Sequence, residues 1–175
     1  MIDPVEFLKS RRSIRKFKDS KPPLELVLKA LDVARYAPSA KNSQPWRFII
    51  IDDRELLNKL SYLHPGAKPL ESAPLAIAVV CNIDESPVSY MVDCANATTY
   101  LLLALHALGL GSVWIQTLRN IDELKKVFDL PENIVPIALI AIGYPDETPV
   151  LKQRRSLSEI TFLNKYGNRL DLKYQ

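Results

Sequence analysis

An α+β fold is predicted, in which a small sheet is flanked by helices and one long helix packs behind it. Three features carry that expectation. Four apolar runs of strand length are separated by longer stretches of helical periodicity. One of those stretches is apolar around most of its circumference, and so needs burial on several sides. The chain of 175 residues is long enough for one independent core but not for two. Residues 1–175 are therefore read as a single domain, with those from about 150 onward forming a polar tail.

In chain order, short helices are expected at Asp3 to Ser10, Asp53 to Leu60 and Ile121 to Phe128, the last two opening on acids that suit a helix N-terminus. The clearest periodicity runs from Pro23 to Ala37. There Leu24, Val27, Leu28, Leu31 and Ala34 recur every three or four residues, and the helix must stop before Pro38. Strands are expected at RFIIID (47–52), LAIAVVCN (75–82), GSVWI (111–115) and IVPIALIAIGY (134–144), each bounded by turn residues. The long helix spans about Tyr90 to Leu108 and ends near Gly109 and Gly111; its apolar girth puts it at the centre or at a subunit interface. After Pro149 only Leu157, Ile160, Phe162 and Leu163 offer apolar anchors, so the tail is expected to lie over a surface and, in a dimer, to reach the partner.

Composition removes several classes of function. A hydrophobic fraction of 47% and a charged fraction of 25% are those of a folded globular domain. The net charge of +3 is too small to imply nucleic acid as the partner. No secretory pattern opens the chain, and the longest apolar run is about half a membrane span, so a cytoplasmic protein is expected. Cys81 and Cys94 are read as small buried hydrophobes. They are too few and wrongly spaced for a disulfide framework, and with His64 and His106 distant from them no metal site is expected. Those histidines are read as a loop residue and a helix residue, and no Ser/His/Asp or Cys/His arrangement is visible, so any catalysis must come from a bound cofactor.

Two segments concentrate polar chemistry. RRSIRKF places Arg11, Arg12, Ser13 and Arg15 within five residues, a set of charge-assisted donors and a hydroxyl that suits a phosphate monoester, although on the cluster alone a solvated basic patch is the favoured reading. APSAKNSQPWRFIII is too polar and proline-broken for helix or strand between Pro38 and Pro45, yet leads straight into a strand. It presents Ser39, Asn42 and Gln44 from a firm base, either as a ligand loop or as a loop that satisfies its own backbone. The pair Gly109 and Gly111 lacks the third glycine of a dinucleotide fingerprint, so a Rossmann site for NAD(P)H is not expected.

RRSIRKF, APSAKNSQPW about 25 residues later, GLGSVWI, and IAIGYP followed by KQRRSLSEI stand in the order and spacing of the nitroreductase and NADH oxidase family, which the chain resembles from about Asp3 to Ile160. The resemblance implies a nitroreductase-like sandwich of a small mixed β-sheet flanked by helices, in a domain-exchanged homodimer with FMN at the subunit interface. It implies that Arg11, Ser13 and Arg15, with Arg12 alongside, grip the FMN phosphate and ribityl chain, and that Arg154 or Arg155 completes the grip. Pro38, Ser39, Ala40 and Asn42 correspond to a loop that reaches the flavin of the other subunit, with Gln44 supporting it. Ile115, Gln116 and Thr117 correspond to backbone beside the flavin's reactive nitrogen. Thr117 departs from a pattern that often has glycine there, and the chain is compact, which implies a more open pocket.

The activity implied is an FMN-dependent oxidoreductase that takes hydride from NADH or NADPH and passes electrons to a nitroaromatic, quinone or similar acceptor by a ping-pong scheme. Two alternatives stand beside it. One is a flavin enzyme that dehydrogenates, dehalogenates or fragments one specific metabolite, with an acceptor pocket lined by the region around residues 62 to 72. The other is a non-enzymatic module that binds an anion or flavin.

Overall fold

In a computed structural model of the chain, residues 3–150 and 152–170 are described. Helix α1 (Pro4–Ser10) starts where the Asp3 carboxylate accepts from the Val5 N–H at 3.0 Å and a proline occupies the first helical position. Helix α2 (Leu24–Ala34) ends three residues earlier than its periodicity predicts. Strand β1 (Trp46–Ile51) leads into α3 (Arg54–Ser61), whose N-cap Asp53 accepts from the Glu55 and Leu56 amides. A 3₁₀ turn at Pro65–Glu71, which two prolines and a glycine hide from periodicity, precedes β2 (Leu75–Asn82). Helix α4 (Tyr90–Ala107) stops at Gly109, whose φ of +74° is left-handed. Then follow β3 (Gly111–Gln116), α5 (Ile121–Val127), β4 (Ile134–Gly143) and the short α6 (Leu157–Ile160), held by a reciprocal Ser156–Glu159 capping box.

The strand order is β1-β2-β4-β3, and every hydrogen-bonded neighbour is antiparallel. Helix α4 does cross over between two strands of the same direction, β2 and β3, but β4 inserts between them. The mixed sheet expected from the resemblance is therefore an antiparallel ladder whose one parallel pairing among the described residues is the isolated bridge from Ser13 to Ser112. Alternation along β2 sends Leu75, Ile77 and Val79 to one face, against α2 and α4, and Ala76, Ala78 and Val80 to the other, against α3, the 65–71 turn and α5. Pro136 lies inside β4, where it has no amide to give; the register slips at Val79/Val80 opposite it, so a bulge absorbs the missing bond.

Three readings of the sequence change. The cysteines are not simply buried hydrophobes: Cys81, at the end of β2, and Cys94, in the first turns of α4, form a disulfide with a Cα separation of 6.2 Å. Thirteen residues apart in sequence, they meet because the chain turns back between strand and helix, and cysteine spacing alone is no argument for a reducing compartment. The apolar stripe of α2 is wider than the core uses, since Val27, Ala30 and Ala34 are buried while Leu24 and Leu28 are 54% and 51% exposed. In the tail, Leu157, Ile160 and Leu163 are at least half exposed, and Phe162 packs on Tyr166 at 4.7 Å between ring centroids, so these anchors do not enter the protomer's own core. Among the described residues no helix is long and apolar enough to cross a membrane.

Candidate functional site

The RRSIRKF segment leaves α1 and is laid along the open edge of the sheet. The Ile14 N–H donates to the Ser112 carbonyl at 3.0 Å, the Lys18 N–H to Tyr144 at 2.9 Å, and the Asp146 N–H returns to Lys16 at 3.0 Å. The Glu147 carboxylate accepts from the amides of Arg15 and Lys16. Ile14 and Phe17 enter the core, while Ser13 is half-buried and Arg15 exposed. The segment lies so close to the sheet that a Cβ on Gly111 would come within 2.9 Å of Ile14, and one on Gly143 within 3.0 Å of Phe17. Glycine is needed at both positions.

Arg11, Arg12, Ser13 and Arg15 converge with Lys152 and Arg154 around a cavity of about 210 Å³ that Pro149 and Val150 complete. Arg154 therefore joins the cluster and also borders a separate surface depression with Gln153, Arg155, Ser156 and Glu159, whereas Arg155 borders only that depression. Among the described residues, none of the five cations is ion-paired with a carboxylate. Arg12 spends donors on the carbonyls of Lys9 and Arg11, at 2.5 and 2.8 Å, which folds its guanidinium back onto the backbone. Arg11 is half-buried, and its Nη1 is buried with no hydrogen-bond partner. Burial, with the charges of Arg12 and Arg154, pulls its guanidinium below its ordinary range. An unpartnered buried donor among like charges is costly, and a multiply charged anion removes that cost. His106 stacks on Phe7 at 4.9 Å, its Nε2 lies 2.8 Å from Ser10 Oγ, and it lines a separate cavity with Arg11 and Arg12. Burial and the fields of Arg11 and Arg12 lower its basicity.

Arg15 also borders a second, less polar cavity of about 540 Å³, together with Lys16, Pro65, Gly66, Lys68, Pro69, Glu71, Ser72 and Glu147. His64, at the head of that wall, reaches the Gln116 carbonyl with Nε2 at 2.8 Å. The Ile115 and Thr117 side chains are buried, the latter donating to the Pro136 carbonyl at 3.0 Å, so only the backbone of 115–117 and the exposed Gln116 side chain can meet a ligand. With strand rise of about 3.3 Å per residue, Gln116 lies about 13 Å along β3 from the Ser13–Ser112 bridge.

The loop from Pro38 to Pro45 is built differently. A 3₁₀ turn occupies Ala40–Asn42, where no regular element is predicted, and Lys41, Asn42 and Gln44 all have left-handed φ, at 53°, 56° and 48°. Buried Asp93 accepts from the Ala40 N–H at 2.9 Å and Ser86 Oγ at 2.7 Å, with Ser43 Oγ at 3.4 Å, and Asn96 Nδ2 donates to the Pro38 carbonyl. Ser39 Oγ accepts from the Gln44 amide, and Gln44 Nε2 donates to the Asn42 carbonyl. The loop lines none of the cavities that the arginines line. Within one protomer the structure thus gathers Arg11, Arg12, Ser13, Arg15 and Arg154, and leaves Pro38, Ser39, Ala40, Asn42 and Gln44 away from them. Sequence reasoning missed Lys68, Glu147, His64 and Asp93; the last was legible as the lone charge in an otherwise uncharged helix.

The Nitroreductase family model matches residues 8–73 and 65–144 of the chain. A protein of Methanothermobacter thermautotrophicus, provisionally named an NADH dehydrogenase/NAD(P)H nitroreductase, is 40% identical over 153 residues, covering 85% of this chain and 80% of the relative. An iodotyrosine deiodinase of Thermotoga neapolitana is 32% identical, covering 81% and 88% of the two chains. Among solved structures, an FMN-dependent nitroreductase of Clostridium difficile superposes with a TM-score of 0.85 at 34% identity, over 93% of this chain and 99% of that one. With a family model spanning most of its length and a fold shared almost end to end with that solved structure, the chain belongs to the nitroreductase family.

Proposed function

We propose that the chain is an FMN-dependent oxidoreductase that draws reducing equivalents from NAD(P)H and delivers them to nitroaromatic, quinone or similar acceptors, as a homodimer with flavin at the subunit interface. The observation that carries this reading is the half-buried Arg11, its Nη1 buried without a hydrogen-bond partner, among five convergent cations, a fit for a phosphate dianion that a solvated basic patch does not need. The family's nitroreductase and FMN-reductase relatives support the cofactor.

When bound, FMN supplies the hydride and electron chemistry itself. Arg11, Arg12, Ser13 and Arg154 hold the phosphate, and Arg15, which borders both cavities, stands where the anionic end gives way to the ring. Lys68 and Arg15 place positive charge along the second cavity, the sign that favours added electrons on a ring held there. The 115–117 backbone is tied to the head of the Pro65–Glu71 wall through His64. Pro38, Ser39, Ala40 and Asn42, with Gln44 bracing them, serve the flavin of the partner subunit. That role accords with a stiff loop distant from its own arginines, and the exposed Leu24, Leu28, Met91 and Val92 supply apolar surface for a second copy.

Anaerobic addition of NADH to the purified protein tests the reading directly. A flavin spectrum that bleaches, parallel initial-rate lines with varied NADH and acceptor, and a dimer by light scattering are expected. A colourless protein that takes up no FMN, or a monomer, would overturn it. The deiodinase relative favours one second reading, reductive dehalogenation of a specific metabolite on the same site, and an anaerobic panel of nitroaromatics, quinones and halogenated phenols separates the two.

A further inference from the structure

The peptide joining Gln116 and Thr117 is gripped by groups that the proposed flavin site does not itself require. His64 Nε2 lies 2.8 Å from the Gln116 carbonyl oxygen, and the Gly66 N–H reaches His64 Nδ1 at 3.1 Å. A carbonyl only accepts and a backbone N–H only donates, so a single form of the ring makes both bonds: the neutral tautomer protonated on Nε2. Gly66 permits the approach, since a Cβ there would stand 3.0 Å from His64 Cε1. On the other side of the peptide, the buried Thr117 hydroxyl donates to the Pro136 carbonyl at 3.0 Å, a carbonyl at the bulge of β4, and the Thr117 carbonyl accepts from the Asn120 N–H at 2.8 Å.

We infer that His64 is a positioning residue for the redox site, holding the Gln116 carbonyl so that the Gln116–Thr117 peptide plane keeps one orientation where it leaves the sheet. A trans peptide is a rigid plane in which C=O and N–H point opposite ways, so fixing one fixes the other. The N–H end of this plane turns toward β4, in the last rung of the β3–β4 ladder where Gln116 stands opposite Ala138, so the carbonyl is the end that leaves the sheet and needs its own anchor. Thr117 secures the C-terminal side through its hydroxyl, and His64 secures the carbonyl itself. His64 also heads the Pro65–Glu71 turn that walls the second cavity, so one imidazole sets the spacing between that wall and the peptide. The inference rests on the proposed flavin site, in which this backbone lies beside the reactive edge of the ring.

The test begins with the protein free of flavin. Long-range nitrogen NMR of His64 is expected to give the tautomer protonated on Nε2, and His64→Phe is expected to speed exchange of the Thr117 amide about tenfold, the bias that one hydrogen bond supplies. His64→Gln, which keeps a donor at similar reach, should recover most of the protection. In the FMN-loaded protein, His64→Phe should shift the flavin midpoint potential and weaken sulfite binding about tenfold, with the Gln variant close to wild type. An Nδ1-protonated ring, or a Phe variant that changes neither amide exchange nor potential, would overturn the inference. If the NMR results are as expected but no FMN is taken up, the clamp stands and it is the flavin reading that falls.

Discussion

The RRSIRKF segment and the 38–45 loop are both short, polar and anchored to the same sheet, yet they are finished in opposite ways. The first has its backbone satisfied by the sheet edge and Glu147, and gathers its arginines around one cavity, leaving like charges crowded and Arg11 Nη1 unpaired. The second has its backbone held by Asp93 and Asn96 and spends Ser39 and Gln44 on its own turn, leaving Asn42 and Lys41 exposed in left-handed conformations. On the proposed reading, the first waits for a ligand from solution and the second serves the flavin of the partner subunit.

The comparison breaks most decisively at the arginines. Arg11→Ala with Arg15→Ala removes two charge-assisted contacts and should weaken FMN binding by roughly 10² to 10⁴-fold in a fluorescence titration. Lys21→Ala, whose ammonium pairs with Asp52 elsewhere on the surface, should leave binding within about twofold; equal losses in the two variants would return the cluster to a solvated patch. Next in size is the loop's anchor. Asp93→Ala strands the Ala40 amide and the buried Ser86 hydroxyl, and should cost about 2–4 kcal/mol by urea denaturation, with Asp93→Asn costing less because it keeps an acceptor.

A smaller effect is expected at the seat of the arginine segment. Gly111→Ala drives a methyl group into Ile14 and should destabilise by about 1–3 kcal/mol while lowering FMN affinity, because the strip carrying Ser13 and Arg15 must lift. Unchanged affinity would mean that the strip's seating does not matter to the ligand. The smallest effect is at His106. Burial first, then Arg11 and Arg12, lowers its basicity in the folded chain, so the unfolded chain takes up the proton first as pH falls. Its contribution to stability is therefore full above the unfolded value of about 6.5 and is lost as pH drops from there toward the lowered folded value. His106→Asn should flatten that part of the melting curve against pH. FMN, by cancelling the arginine field, should raise the His106 titration midpoint measured by NMR; a midpoint indifferent to FMN would place the phosphate elsewhere.

Much of the fold was legible because its signals are local. Asp3 and Asp53 cap the helices they precede, Pro38 follows the end of α2, and LAIAVVCN is β2 residue for residue. The 65–71 turn was not legible, since Pro65, Gly66 and Pro69 interrupt any period. In the site, the residue types of RRSIRKF and the exposed polar loop were readable, but the choice of Arg154 over Arg155, the role of Glu147 and the His64 grip on Gln116 were not.

By itself the sequence determined where helices and strands lie, which segment is basic and which loop is rigid, because capping, periodicity and turn chemistry act over a few residues. Only the tertiary structure decided that β4 enters between β2 and β3, that Cys81 meets Cys94, and that arginines 140 residues apart in number share one cavity. Those contacts depend on which apolar faces are buried together, and no spacing along the chain encodes that.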